Sequence, residues 1–249
     1  MAGLFILHCN LTPELALVAA AAASGVLGLA MGALAIRRHG IYFSMVTLAL
    51  SQMVFFFYLQ SRFTGGEDGM QGVPRGRLFG LISLSNDLAL YYVVLVVFAL
   101  ALLLIWRTVN SPFGRVLMAI RGNEKRALSL GYDVWRFKLA TFGMSAALTG
   151  LAGGLKAIVF GFATLADAHW HTSGEAIFMT LLGGIGTFVG PIVGASFVVV
   201  LQDTLADKVG SKITVIMGLI FMACVLVFRN GIVGATMELA SRDRRSCRS

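Results

Sequence analysis

Three charged side chains lie inside long apolar stretches of the sequence, and they are the first candidates for chemistry: Lys156, Glu175 and Asp203. A charge at the centre of a bilayer costs upwards of about 2.5 kcal/mol, so such residues tend to serve a function. Lys156 and Asp203 fall near the ends of their stretches, where a lysine can reach water and a carboxylate stays hydrated. Glu175 opens a short predicted helix, where a carboxylate suits the positive helix end. Structural and functional roles therefore both stay open for Glu175.

Recognised catalytic motifs are missing from the sequence. It lacks the GxxxxGK[ST] phosphate loop, the HExxH zinc motif and the GxSxG nucleophile motif. His169 and His171 stand two apart in a polar loop without companions at metal-ligand spacing. The three cysteines are scattered along the chain: Cys9, Cys224 and Cys247. We expect no catalytic residue, no metal and no cofactor, and the remaining enzymatic hypothesis is an intramembrane enzyme that uses Glu175, His169 or His171.

A stripe of polar residues follows one face of the second apolar segment. Ser44, Thr47, Ser51 and Tyr58 stand at offsets 0, 3, 7 and 14, which is one helix face, and Gln52 lies beside them. This stripe would suit an aqueous path through a membrane. Hydrogen bonds between helices, each contributing roughly 0.6–2 kcal/mol, explain it equally well.

The composition is that of an integral membrane protein. Hydrophobic residues make up 57% of the chain, charged residues only 13%, and the mean hydropathy is +0.83. The net charge of +8 does not indicate nucleic acid, because 14 of the 20 Lys/Arg fall in segments that we place on one side of the membrane. That distribution is the positive-inside bias of membrane proteins.

The apolar segments predict an all-α, polytopic transmembrane bundle of about six or seven spans that forms one domain over residues 1–249. The predicted spans are Leu15–Ile36, Ile41–Leu59, Leu88–Trp106, Leu139–Phe160, Ala176–Leu182, Ile192–Leu205 and Ile213–Phe228. A Gly-rich break over 183–191 separates the fifth from the sixth. If that break is a turn, the chain crosses seven times with the N-terminus outside and the C-terminus inside. If it is re-entrant, six crossings leave the Arg-rich tail outside, against its charge.

Small residues at four-residue spacing predict close helix packing in this bundle, because they let two backbones approach in lipid. Three such ridges occur: Ser24, Gly28 and Gly32; Ala146, Gly150 and Gly154; and Gly186, Gly190 and Gly194.

The most informative polar segment is the insert 107–138 between two predicted spans. It carries seven Lys/Arg against two acidic residues, Glu124 and Asp133, so we place it in the cytoplasm. Asn123 is a suitable N-cap, Glu124 suits the first turn, and Gly131 suits the end of a short helix. Such a helix lying across the chain direction could transmit motion from a soluble partner to the bundle. The plainer alternative is a solvated basic loop that only fixes the topology.

Five segments of the sequence resemble one family of membrane proteins. They are GIYFSMVTLALSQM (40–53), TGGEDGMQGV (64–73), SPFGRVLMAIR (111–121), RGNEKRALSLGYDVWRFKLATF (121–142) and LLGGIGTFVGPIVGA (181–195). In this order they resemble the ABC importer permeases of the branched-chain amino acid (LivM-type) family, from about Gly32 to Gly234. Family members usually begin with further helices and an SLGHA-like stretch, for which we see no counterpart in residues 1–29.

The resemblance implies a permease subunit of an ATP-driven importer in the bacterial inner membrane. Its implied partners are a second homologous permease, two cytoplasmic ATP-binding subunits and an external substrate-binding protein. The matching insert assigns the ATPase-coupling role to Asn123, Glu124, Arg126, Ala127 and Gly131. We expect the substrate path to include Ser44, Thr47, Ser51, Gln52, Thr64, Gly65, Gly66, Asp68, Glu175, Gly183, Gly184 and Gly186. Related permeases for urea or short amides share the insert motifs, so that substrate class is the alternative.

Overall fold

The computed structural model describes residues 12–61, 69–72, 77–78, 82–83, 86–184 and 186–209, together with Gly218 and Met222. These residues form eight α-helices with defined bounds: α1 (Pro13–Ala35), α2 (Ile41–Gln60), α3 (Asp87–Asn110), α4 (Pro112–Gly122), α5 (Glu124–Ser129), α6 (Val134–Phe160), α7 (Trp170–Gly183) and α8 (Gly190–Val209). A 3-10 helix covers Leu165–Ala168, and two-residue strands lie at Met70–Gln71 (β1), Arg77–Leu78 (β2), Ile82–Ser83 (β3) and Phe162–Ala163 (β4). The chain divides into two compact units, Met1–His169 and Trp170–Ser249.

Local capping explains where the helices around the basic insert begin. Asn86, Ser111, Asn123 and Asp133 precede α3, α4, α5 and α6, and each side chain accepts a hydrogen bond from a backbone N–H in the first turn of its helix. Such caps satisfy donors that a helix N-terminus otherwise leaves free. At its other end, α6 stops at Gly161, which adopts the left-handed conformation (φ 73°).

Among the described residues, four helices are long and apolar enough to cross a membrane: α1, α2, α3 and α6. They overlap the first four predicted spans, although α6 begins at Val134 rather than Leu139 and so includes the last residues of the basic insert. The fifth predicted span is part of the longer helix α7, whose 14 residues measure only about 21 Å at 1.5 Å per residue. In α8 the apolar part is Gly190–Leu205. The predicted span Ile213–Phe228 lies outside the described residues except for Gly218 and Met222, so the number of crossings stays a prediction.

The first unit is organised around α1 and α6, which pack closely along small residues. A Cβ added at Gly28 would collide with the Cβ of Ala146, and one added at Gly150 would collide with the side chain of Ser24. Further along, a Cβ at Gly32 would lie 2.9 Å from Cδ1 of Phe142. The first two predicted small-residue ridges therefore face each other in the structure, and a side chain larger than hydrogen at these glycines would force the neighbouring atoms to shift.

The far end of this unit, away from residues 107–138, is closed by apolar contacts and a short strand pair. Ala16 and Leu17 of α1 are buried together with Leu90 of α3 and Ile158 of α6. Nearby, β1 pairs antiparallel with β4, which ties the polar loop after α2 to the residues that follow α6. Strands β2 and β3 form a second antiparallel pair within the same loop.

Candidate functional site

The short helix α5 in the basic insert is defined at both ends by its own sequence. The Asn123 side-chain oxygen accepts a hydrogen bond from the backbone N–H of Arg126 at 3.1 Å. At the C-terminus, the N–H of Gly131 donates to the carbonyl of Leu128 and the N–H of Tyr132 donates to that of Ala127. This pair of bonds is a Schellman motif, and Gly131 (φ 86°) occupies its left-handed position. Asn123 and Gly131 thus start and end the helix, as their types predict.

One face of α5 is anchored in an apolar cluster that joins three helices. Ala127 is only 2% exposed and is buried with Ile120 of α4 and Val134 of α6. Phe137 of α6 packs on this cluster and stacks on Phe113 of α4, with ring centroids 5.3 Å apart. Because Ala127 points into the protein, its part in any docking surface is to hold α5 in place.

An ion pair adds a second connection between α5 and α6. The Nζ atom of Lys138 lies 2.7 Å from Oε1 of Glu124, and both side chains are about two-thirds buried, at 31% and 35% exposure. The neighbouring pair Arg136–Asp133 has a similar separation of 2.8 Å, yet its side chains are 79% and 52% exposed. Glu124 therefore engages its own subunit in this structure.

Apart from the buried Ala127, α5 and its C-cap residue expose apolar and basic side chains. Leu128 is 54% exposed and Leu130 is 69% exposed, although both lie in the most polar segment of the described chain. Lys125 and Arg126 are also exposed on the same short helix. Exposed apolar side chains in so basic a segment make α5 a candidate for contact with another protein.

The polar stripe on α2 lies mostly on the half-buried side of that helix. Thr47 and Ser51 are half-buried, as are Gln52 and Tyr58, whereas Ser44 is exposed. The Thr47 hydroxyl donates to the carbonyl oxygens of Phe43 and Ser44, and the Ser51 hydroxyl donates to that of Leu48. These protons are thus engaged within α2 itself, and the hydroxyl oxygens still have lone pairs with which to accept hydrogen bonds.

An open groove lies at the insert end of the first unit, between α3 and α6. Its volume is about 330 Å³, and its lining is Leu104, Arg107, Thr108, Ser111, Phe113, Ala140 and Met144. The Thr108 hydroxyl donates to the Leu104 carbonyl and the Ser111 hydroxyl to the Thr108 carbonyl, so the groove presents mainly apolar surface. Among the residues that the structure describes, no polar or charged side chain is fully buried.

The remaining charged candidates lie near helix ends. Lys156 is paired with Asp167 across 2.6 Å, which joins α6 to the 3-10 helix. Glu175 is half-exposed in the second turn of α7, because this helix begins at Trp170; the prediction that Glu175 opens the helix is therefore wrong. Asp203 is exposed on α8. Thr64, Gly65, Gly66 and Asp68 of the predicted path lie outside the described residues.

Both histidines of the enzymatic hypothesis contact aromatic rings. The His169 ring meets Phe55 edge-on, with centroids 5.3 Å apart, and the His171 ring lies 5.5 Å from Trp170. No group of three or more His, Cys, Asp or Glu side chains that could hold a metal ion occurs within the described part of the chain.

Between α7 and α8 the chain turns on glycines. Gly184 (φ 115°) and Gly186 (φ 97°) adopt positive φ angles, and a Cβ added at Gly183 would collide with the Gly190 carbonyl. Thr187 closes the turn, because its hydroxyl donates to the Gly184 carbonyl and accepts from the Gly190 N–H, both at 3.1 Å. The polar groups at this break are thus largely satisfied by the turn itself.

These features, long apolar helices with a folded basic insert between two of them, are those of a polytopic membrane protein. The family described as "Branched-chain amino acid transport system / permease component" matches residues 1–229. The chain belongs to this family. The match begins at residue 1, whereas the resemblance of the five quoted segments was placed from about Gly32 onwards. Family membership and the four apolar helices confirm the predicted all-α transmembrane bundle and make the chain a multi-pass protein of the inner membrane.

Several curated proteins are similar to this chain. The high-affinity branched-chain amino acid transport system permease protein LivM of Escherichia coli K12 is 31% identical over 218 residues, covering 78% of this chain and 50% of the relative. A probable LivM of Methanocaldococcus jannaschii is 30% identical over 113 residues, covering 45% and 32% respectively. The ribose import permease protein RbsC of Bacillus subtilis is 28% identical over 173 residues, covering 66% and 51%.

The chain spans about half the length of the Escherichia coli relative that it matches. No solved structure matches it significantly. The family is one of transporter membrane subunits, which disfavours the hypothesis of an intramembrane enzyme.

Proposed function

We propose that this chain is a membrane subunit of an ATP-driven importer for branched-chain amino acids, and that α5 is its contact with a cytoplasmic ATP-binding subunit. The observation that carries the docking role is the geometry of α5. One face is anchored by Ala127 in the cluster with Ile120 and Val134, while Leu128 and Leu130 stay open to solvent. The substrate class rests on the family and on the names of the bacterial relatives. Urea and short amides find no support in those names.

The proposed orientation places residues 107–138 and the C-terminus in the cytoplasm, and the N-terminus outside. It rests on the seven basic residues of the insert, which the positive-inside rule retains on the cytoplasmic side. In a variant whose Cys9, Cys224 and Cys247 are replaced by serine, a cysteine introduced at Lys125 should react with a membrane-impermeant maleimide only after the cells are opened. Labelling in intact cells would contradict the orientation.

A second permease subunit, two ATP-binding subunits and an external substrate-binding protein complete the proposed assembly. The exposure of α2 supports the second permease, because none of its residues is fully buried although it carries the polar stripe. We propose that Ser44, Thr47, Ser51 and Gln52 line the substrate path where this face meets the second permease. The external loop with Thr64, Gly65, Gly66 and Asp68, together with Glu175, Gly183, Gly184 and Gly186, is proposed as the remainder of that path.

The docking role is tested by removing the exposed apolar side chains of α5. Leu128→Ser with Leu130→Ser should reduce co-purification of the ATP-binding subunits at least tenfold, because the only large apolar groups that α5 and its C-cap leave open are lost. Met118→Ser, which removes an equally exposed apolar side chain from α4, is the matched control and should leave binding unchanged. Undiminished binding by the double variant would contradict docking through α5.

The substrate is tested in proteoliposomes that contain the assembled transporter. Uptake of labelled leucine should require ATP and should be inhibited by excess unlabelled leucine but not by excess urea. Inhibition by urea with no effect of leucine would replace the proposed substrate with the alternative.

A further inference from the structure

The ion pair between Glu124 and Lys138 gives Glu124 a role that differs from direct docking. Its carboxylate is turned towards α6 and lies 2.7 Å from the Lys138 ammonium. Both side chains are about two-thirds buried, so the pair is less screened by water and salt than the Arg136–Asp133 pair next to it. Lys138 lies in the second turn of α6, at the point where that helix enters its apolar stretch.

A helix as short as α5 needs such contacts to keep a fixed orientation. Six residues make fewer than two turns, and isolated helices of that length are unstable in water. Ala127 fixes one side of α5 in the cluster with Ile120 and Val134. The Glu124–Lys138 pair fixes the first turn of α5 to α6 and so restrains rotation about the Ala127 contact.

The aromatic contacts extend this connection to α4. Phe137, the residue before Lys138, stacks on Phe113 at 5.3 Å and meets Tyr132 edge-on at 6.2 Å. The helices α4 and α5 and the beginning of α6 are therefore joined by an apolar cluster, an aromatic stack and an ion pair. Beyond this region, α6 packs against α1 at Gly28 and Gly150, so a continuous series of contacts links α5 to the α1–α6 packing.

From this arrangement we infer that Glu124 is a positioning residue: its ion pair with Lys138 joins α5 rigidly to α6, so that movement of a docked ATP-binding subunit is transmitted to the membrane helices. The functional half of this inference rests on the proposed function. The docking surface itself then consists of the exposed Leu128, Leu130, Lys125 and Arg126.

The test removes the pair, exchanges its charges, and compares it with the neighbouring pair. Glu124→Gln and Lys138→Gln each remove one partner, and the double variant E124K/K138E exchanges the two charges. Arg136→Gln is the matched control, because it removes the exposed pair with Asp133 but leaves the backbone N–H of residue 136 to donate to the Asp133 cap.

The first measurement concerns the ion pair alone and needs no partner protein. With Cys9, Cys224 and Cys247 replaced by serine, a nitroxide attached to a cysteine at the exposed position Ser129 reports the motion of α5 in the purified full chain. We expect a restricted spectrum in the parent and in Arg136→Gln, a mobile one in Glu124→Gln and Lys138→Gln, and a restricted one again in E124K/K138E.

The second measurement is substrate-stimulated ATP hydrolysis by the assembled transporter. We expect it to fall about fivefold in Glu124→Gln and Lys138→Gln, a change equivalent to roughly 1 kcal/mol, with ATPase binding retained. The charge exchange should restore it to within about twofold of the parent. Restored ATP hydrolysis in the charge exchange is expected if Glu124 pairs with Lys138 within the subunit. It is not expected if Glu124 contacts the ATPase, because the lysine at position 124 would then face the same partner with the wrong charge.

Two outcomes would overturn the inference. The first is a double variant as impaired as its single parents in both measurements. The second is a Glu124→Gln variant that loses ATPase binding while the label at position 129 stays restricted, which would place the carboxylate in the docking contact. If the parent chain binds no ATP-binding subunit at all, the proposed function fails, and the label series alone still decides whether the ion pair holds α5.

Discussion

The close contact between Gly28 of α1 and Ala146 of α6 allows a quantitative test of the bundle. A Cβ added at Gly28 would lie well inside van der Waals distance of the Ala146 Cβ, while its next neighbours, Ala146 Cα and the Phe142 carbonyl, would stay at 3.8 Å. The collision is therefore between two methyl groups only. Overpacking of this kind typically costs about 1–3 kcal/mol, so Gly28→Ala should lower the free energy of unfolding by that amount.

The same geometry predicts a rescue and supplies a control. Ala146→Gly removes the opposing methyl group, so G28A/A146G should recover most of the lost stability. Gly153→Ala places a methyl group on α6 where nothing lies within 4 Å, and its effect should be no more than about 1 kcal/mol in the stabilising direction. The assay is reversible unfolding by SDS in mixed micelles, followed by circular dichroism. If Gly28→Ala proves as stable as Gly153→Ala, or if the double variant is no better than the single one, then α1 and α6 do not approach each other in this way.

Three further substitutions test local features of the structure. Gly131→Ala puts a side chain on a residue with φ 86° and should cost roughly 1–2 kcal/mol, seen as increased mobility of a spin label at position 129. Thr187→Val removes the hydroxyl that accepts from the Gly190 N–H and should lower the free energy of unfolding by about 0.5–2 kcal/mol in the SDS assay. Gly69→Ala forces a Cβ onto the Ala163 carbonyl and puts a side chain on a residue with φ 67°. The loop between α2 and α3 should then be cleaved faster by protease. An unchanged cleavage rate would contradict the pairing of β1 with β4.

Apolar length and end signals made the four spanning helices and α5 predictable from the sequence. A run of about 20 apolar residues can satisfy its backbone in lipid only as a helix, so α1, α2 and α3 lie close to their predicted positions. Asn123 and Gly131 likewise act through hydrogen bonds to residues within five positions of themselves. The start of α6 was predicted five residues late, because Val134 to Lys138 is polar enough to resemble the loop while Asp133 already caps the helix there.

The coupling roles of Glu124 and Ala127 stay predictions, which rest on the matching segment of the family. The sequence did not indicate the surroundings of the two side chains. Ala127 is buried, and Glu124 is paired with a lysine 14 positions away in the sequence. The stripe on α2 could be recognised from its spacing, whereas its spacing gave no indication that the Thr47 and Ser51 protons would be engaged by carbonyl groups of the same helix.

The amino-acid sequence by itself determined the class of the protein, the approximate extent of its membrane helices and the presence of a folded basic insert. The signals for these features, namely hydrophobic length, charge bias and helix caps, each lie within one short segment of the chain. Only the tertiary structure decided that α1 meets α6 at Gly28, that β1 pairs with β4, and that Glu124 faces Lys138. These contacts join residues that are distant in the sequence, and many pairings would satisfy the same local pattern. The one observed is selected by the fit of small residues, rings and charges once the helices are packed together.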